Sequence, residues 1–309
     1  MTKYQILIRQ SLSNTTLASK LYARVNIIES GAVTYSNSNT VTLARPHLIP
    51  IAVSLLLLIV FLLHGPIGQL DHYHDFADQR SLGGIPHAMD VWSNVGFAIV
   101  GTLGLAVCWM GRRQLGARTA GYTIFFAAML MTAFGSSWYH IAPDNSRLVW
   151  DRLPIAVACA GIMSAAWAEF VNSKQARFAL PWLLLGACLS VAWWHVTELT
   201  GMGDLRPYLW LQALPLITVP LLLWKSPKRP ARAGAWTIAI LCYVLAKGFE
   251  LADHAIFDLL HLISGHTFKH LFATLAAWAI YWRLQQLVST DTSYEPVTQH
   301  KLSMISKAH

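Results

Sequence analysis

The chain has 309 residues, of which only 12% are charged and 55% hydrophobic, against roughly 25% and 45–50% in soluble domains. That imbalance excludes an ordinary soluble globule. Lys and Arg number 23 against 15 Asp and Glu, a net charge of +8, but the 13 Trp belong at a membrane interface, so the excess argues for sidedness in a bilayer rather than for nucleic acid.

Residues 1–46 are polar, rich in Ser, Thr and Asn, and lack the basic-then-apolar order of a cleavable signal peptide. Disorder is expected there and again over the polar tail 287–309. Between them, eight apolar stretches lie near 48–64, 91–110, 119–140, 148–168, 178–195, 207–224, 233–251 and 267–285, each close to the length that crosses a hydrocarbon core of about 30 Å. Each must be helical, because an open strand would leave its amides unpaired in lipid. The expected fold is therefore an all-α polytopic membrane protein: an appended helix at 47–64, an acidic outer loop at 65–90, and a seven-helix core at 91–286. Cys108, Cys159, Cys188 and Cys242 each sit alone in a different apolar run without CxxC spacing, and read as small core residues. No internal repeat or glycine-rich phosphate loop is present.

Loop charge alternates along the core. Arg112, Arg113 and Arg118, then Lys174 and Arg177, then Lys225, Lys228, Arg229 and Arg232 follow the second, fourth and sixth spans, whereas the opposite loops hold only Arg80, Arg147 and Arg206. The positive-inside rule assigns the first set to the cytoplasm. With eight spans, both termini fall on that same side.

Ionisable residues at membrane depth are functional hypotheses by default. In GSSWYH, Ser136 and His140 share one helical face, with Ser136 about 6 Å deeper at 1.5 Å per residue. Asp151 is expected to open the next span at the same membrane face, with Pro154 in its first turn. The last span begins SGHTFKH, which puts His266 and His270 on one face and Ser264 at the cap. Taken singly, each piece has a plain reading: a histidine bonded between helices, Asp151 as a cap, Ser136 bonded to its own i−4 carbonyl. Together, three imidazoles from two helices meet Ser136 and Asp151 near the outer face, the donor set of a catalytic zinc site with an open position.

The outer loop LDHYHDFADQR carries Asp71, Asp75 and Asp78, and Asp90 follows. These oxygens suit Ca²⁺, while the same spacing also fits a solvated acidic loop with Asp90 capping a helix, since no EF-hand pattern is present. His72 and His74 offer a less favoured soft-metal set. Lys247, Glu250 and Asp253 form a third group, in which Lys247 and Glu250 at i and i+3 neutralise one another.

DFAD and DVWSN before the core, the SxxxH of GSSWYH, Asp151 eleven residues beyond His140 and the HxxxH of SGHTFKH together resemble the alkaline ceramidases and the wider superfamily of seven-helix membrane hydrolases and adiponectin-receptor-like proteins. The likeness covers about residues 70 to 285. It implies zinc held by His140, His266 and His270, Asp151 as the group that deprotonates the attacking water, Ser136 as the stabiliser of the oxyanion, and calcium at Asp75, Asp78 and Asp90. Arg80 and the shortened acids depart from that calcium pattern. The expected activity is hydrolysis of ceramide or another N-acyl membrane lipid, with a receptor or sensor and an ester-lipid hydrolase as alternatives. A transporter is disfavoured, because the ionisable residues gather at one face instead of crossing the midplane.

Overall fold

The computed structural model describes residues 48–225 and 229–292. The polar segment 1–46 lies outside the described residues, as does the tail beyond 292; residues 287–292, expected to be tail, continue the last helix. Among the described residues there are no strands, only one isolated bridge between Leu82 and Ile85. The helices are α1 (Leu48–His64), α2 (Ala88–Ser93), α3 (Val95–Met110), α4 (Arg112–Leu115), α5 (Thr119–Ile141), α6 (Asn145–Phe170), α7 (Ser173–Leu199), α8 (Arg206–Lys225), α9 (Arg229–Leu251), α10 (Asp253–Leu260) and α11 (Gly265–Thr292).

Six stretches are long and apolar enough to cross a membrane: Ala88–Met110, Arg112–Ile141, Asn145–Phe170, Ser173–Leu199, Arg206–Lys225 and Ala233–Leu251. They mark a multi-pass membrane protein. At 17 residues α1 is shorter. The 28 residues of α11 include His266, His270 and Arg283, all buried, and Lys269, which is largely enclosed. Large apolar side chains such as Leu56, Trp109, Phe134, Phe178 and Leu251 are exposed on the outside of the bundle, which fits a lipid solvent in which the usual inside-out rule relaxes. Trp138 and Trp224 near helix ends stack beneath Arg147 and Lys225, at 4.3 and 4.0 Å, as aromatic residues do where lipid meets water.

Consecutive core helices pack against one another, and α11 closes the set by packing on both α9 and α3. The ring runs α3, α5, α6, α8, α9 and α11, with α7 outside against α6 and α8, and α1 against α8. Small residues bring α5 and α6 together: a Cβ on Gly135 would collide with the Trp150 carbonyl oxygen. That backbone contact sets Ser136 and Asp151 as neighbours across the helix pair.

Two helix starts differ from the sequence expectation. Asp144 accepts the Arg147 amide at 2.8 Å and caps α6 at Asn145, so the helix begins before its apolar run. Asp151 is therefore not a cap, and Pro154 sits inside the helix rather than in its first turn. The loop expected at 252–266 contains α10, whose first residue, Asp253, is buried. Of the four cysteines, Cys108 and Cys159 are buried as expected, Cys242 is intermediate and Cys188 is exposed; all are free.

Candidate metal centre

His140 arrives on the last turn of α5, and His266 and His270 on the first two turns of α11. Each offers one ring nitrogen, and the three nitrogens lie within 4.8 Å of one another. All three side chains are buried. A tetrahedral ion with Zn–N near 2.0–2.1 Å would draw such nitrogens to about 3.4 Å, a small closure of the set.

The surroundings of the triad hold its rings in place. Ser264 caps α11 by accepting the Thr267 amide at 3.0 Å, as expected. Asp253 adds a second cap, accepting the His266 amide at 2.7 Å through one oxygen and the Ala77 amide at 3.0 Å through the other. Gly265 makes room for it, since a Cβ there would collide with the Phe249 carbonyl and the Asp253 backbone. His270 Nδ1 lies 3.1 Å from the Asp90 carbonyl and 2.8 Å from Ser93 Oγ. Because Ser93 already donates to that carbonyl, Nδ1 must carry the proton, which leaves Nε2 as the ligand atom, the usual arrangement behind a metal-binding histidine.

His140 fits a metal for a different reason. Both of its ring nitrogens are buried without a hydrogen-bond partner among the described residues, and so is Ser136 Oγ. Leaving a buried polar group unmet costs about 1–3 kcal/mol, so a site with these orphans side by side is built for something it does not itself contain. The plain reading of Ser136, a bond to its own helix carbonyl, does not hold here. The donor chemistry, three imidazoles brought together from two helices, fits zinc.

Ser136, Asp151 and His270 line one cavity, together with Lys247 and Lys269. The lining runs from Phe125 to Ser136 on α5, Asp151 to Ile162 on α6, Trp236 to Lys247 on α9, and Lys269 to Ile280 on α11. Each stretch is about 16 Å long at 1.5 Å per residue. The cavity is thus a deep slot, polar at the end bearing the histidines and apolar below.

The outer loop closes that polar end. Phe76, 4% exposed, packs its ring 4.6 Å from both His140 and His266. His74 ties the loop to Tyr139 and Asn145 at 2.9 Å each, and His87 bonds the His140 carbonyl at 2.9 Å. His74 is thereby an anchor and not a metal ligand.

The expected calcium ligands are not brought together as a cation site. Arg80 clamps Asp78 through two contacts of 2.6 and 2.7 Å. Asp90 is fully buried and accepts from Thr267 at 2.6 Å and Ser264 at 3.3 Å. It therefore ties α2 to the start of α11 and caps no helix. Asp75 accepts from Gln79 at 3.2 Å at the surface. Among the described residues, the histidine triad is the one group with metal-binding geometry. The Arg80 guanidinium already pairs with Asp78, so that carboxylate has its cation within the chain. Burial raises the Asp78 pKa, but the hydrogen bonds and charge of Arg80 outweigh it and hold the carboxyl below its ordinary range.

Sequence reasoning missed Phe76, the capping role of Asp253, and Lys269, whose charge at membrane depth inside HTFKH was the available signal. The chain matches no protein-family model, no curated protein and no solved structure.

Proposed function

We propose that the chain is a zinc-dependent hydrolase of lipid amides, similar to the alkaline ceramidases, acting on ceramide or a related N-acyl lipid. The observation that carries this reading is the unpartnered Ser136 hydroxyl, one helical turn from His140 and lining with Asp151 and His270 the polar end of a slot long enough for much of an acyl chain. A hydroxyl free to donate at that point is what a developing oxyanion requires.

When bound, zinc supplies Lewis acidity, which polarises a carbonyl and lowers the pKa of water towards about 7. Asp151 accepts the proton of the attacking water and returns it to the amine nitrogen. The water oxygen bonds to the carbonyl carbon, the C–N bond breaks, and a fatty acid and a free amine leave. Ser136 Oγ–H donates to the carbonyl oxygen as charge develops there. The apolar slot binds the acyl chain, and Phe76 keeps bulk water from the histidines.

Eight spans, cytoplasmic termini and a site near the outer face belong to the same proposal, supported by the positions of Arg112, Arg113, Lys174, Arg177 and Lys225 at the helix ends remote from the histidines. The test is mass spectrometry of a membrane-lipid extract incubated with wild type and with His270→Ala. One N-acyl species should fall and its free amine rise with wild type alone, and the purified protein should carry about one zinc per chain. Zinc-free protein that leaves every amide lipid untouched rejects the reading.

A further inference from the structure

Two lysines share one carboxylate at the polar end of the slot. Lys247 Nζ donates to Glu250 Oε2 at 2.8 Å and Lys269 Nζ to Glu250 Oε1 at 2.6 Å. Lys269 is enclosed, with a side chain 13% exposed, and it also approaches His266 Nε2 at 3.4 Å. Glu250 alone cannot match both ammoniums, and Asp151 lines the same slot as the second carboxylate.

Lys247 has the free capacity. An ammonium carries three donors, and one of them is spent on Glu250. Its side chain is 39% accessible although it lines the internal slot together with Asp151, Ser136 and His270. Asp151 and Glu250 balance the two lysines in charge, so the case for an anion rests on the spare donors of Lys247. A neutral amine fragment, such as that of ceramide, offers those donors no charged acceptor.

We infer that Lys247, held by Glu250, is a specificity-determining residue that binds an anionic group, carboxylate or phosphate, carried a few bonds from the scissile amide on the amine portion of the lipid. This deepens the amidase reading and rests on it for the word scissile, while the binding claim stands separately. The substrate class becomes N-acyl lipids with an acidic headgroup, N-acyl amino acids among them.

The experiment uses the full chain, purified in detergent, with two matched pairs of probes: N-palmitoylglycine against N-palmitoylglycinamide, and N-palmitoylethanolamine phosphate against N-palmitoylethanolamine. Release of palmitate and the ligand-induced shift in melting temperature are both followed. Wild type should favour the acidic member of at least one pair by about tenfold in kcat/KM, the size of one charge-assisted hydrogen bond. Which pair shows it separates carboxylate from phosphate. Lys247→Met should lower kcat/KM for the acidic member about tenfold more than for the neutral one, and Lys247→Arg should restore most of that difference. Equal turnover of acidic and neutral members by wild type, or an equal loss on both in Lys247→Met, overturns the inference and spares the amidase. If no probe is cleaved, an acid-selective melting shift that vanishes in Lys247→Met upholds the anion site, with the amidase decided by the lipid-extract experiment; no selective shift overturns the anion site.

Discussion

The bundle has a buried polar cluster at each end, and they are built on opposite plans. At the end remote from the histidines, Arg283 Nε and Nη2 donate to Glu169 Oε2 at 3.1 and 2.9 Å, the Tyr122 hydroxyl donates to the other Glu169 oxygen, and Arg283 Nη1 reaches Gln286 at 3.2 Å. This cluster joins α5, α6 and α11 and satisfies itself. About 21 Å away along α5, counted from Tyr122 to Ser136, the other cluster leaves Ser136 Oγ, Asp90 Oδ2 and both His140 nitrogens without partners. A polar group that meets its own needs in a membrane protein is a fastener. One that leaves them open is waiting for a ligand or a reaction.

That contrast breaks most visibly at the triad. His266→Ala with His270→Ala should abolish zinc binding and reduce hydrolysis to background, checked by elemental analysis alongside turnover; full zinc occupancy in the double variant would remove these residues as ligands. Asp151→Asn should keep the metal and lose about 10²–10⁴-fold in kcat, the range for a positioned general base. Ser136→Ala should likewise keep the metal and lose about 10²–10³-fold. Its melting temperature should not fall, because the hydroxyl it removes has no partner. The opposite cluster should answer in stability instead. Glu169→Ala strands Arg283 and should cost about 3 kcal/mol or more, read as lost thermal stability at unchanged zinc content per folded molecule.

The smallest effect lies in the outer loop. The Asp78 carboxyl is held below its ordinary range, so its pair with Arg80 stabilises the fold above that range and fades as pH falls through the lowered value. Arg80→Ala should move the acid limb of a melting-temperature profile to higher pH. Adding or chelating Ca²⁺ should shift neither melting nor activity, whereas a clear calcium-dependent rise would restore the loop as a cation site.

What was readable in the sequence was what repeats locally. Apolar runs of membrane length marked the helices, and i, i+4 spacing marked Ser136 with His140 and His266 with His270. Ser264 was recognisable as a cap because it is near its partner in the chain. Asp253 was not, because the amides it accepts belong to His266 and Ala77, one of them 176 residues away. The start of α6 was misplaced because Asp144 extends the helix into polar residues that hydropathy assigns to a loop. Arg80 stood in plain view, but only the fold shows it folded back on Asp78. Lys269 was passed over because its relation to Glu250 depends on how α9 and α11 face one another.

Phe76 adds a consequence in time rather than in affinity. Its ring lies against two of the three histidines, on a loop fastened by His74 and His87, so an ion leaving past that face would need the loop to lift. Exchange of radiolabelled zinc should then proceed at the undocking rate of the loop and stay independent of chelator concentration once chelator is in excess. Phe76→Ala should turn that plateau into a rate that climbs with chelator.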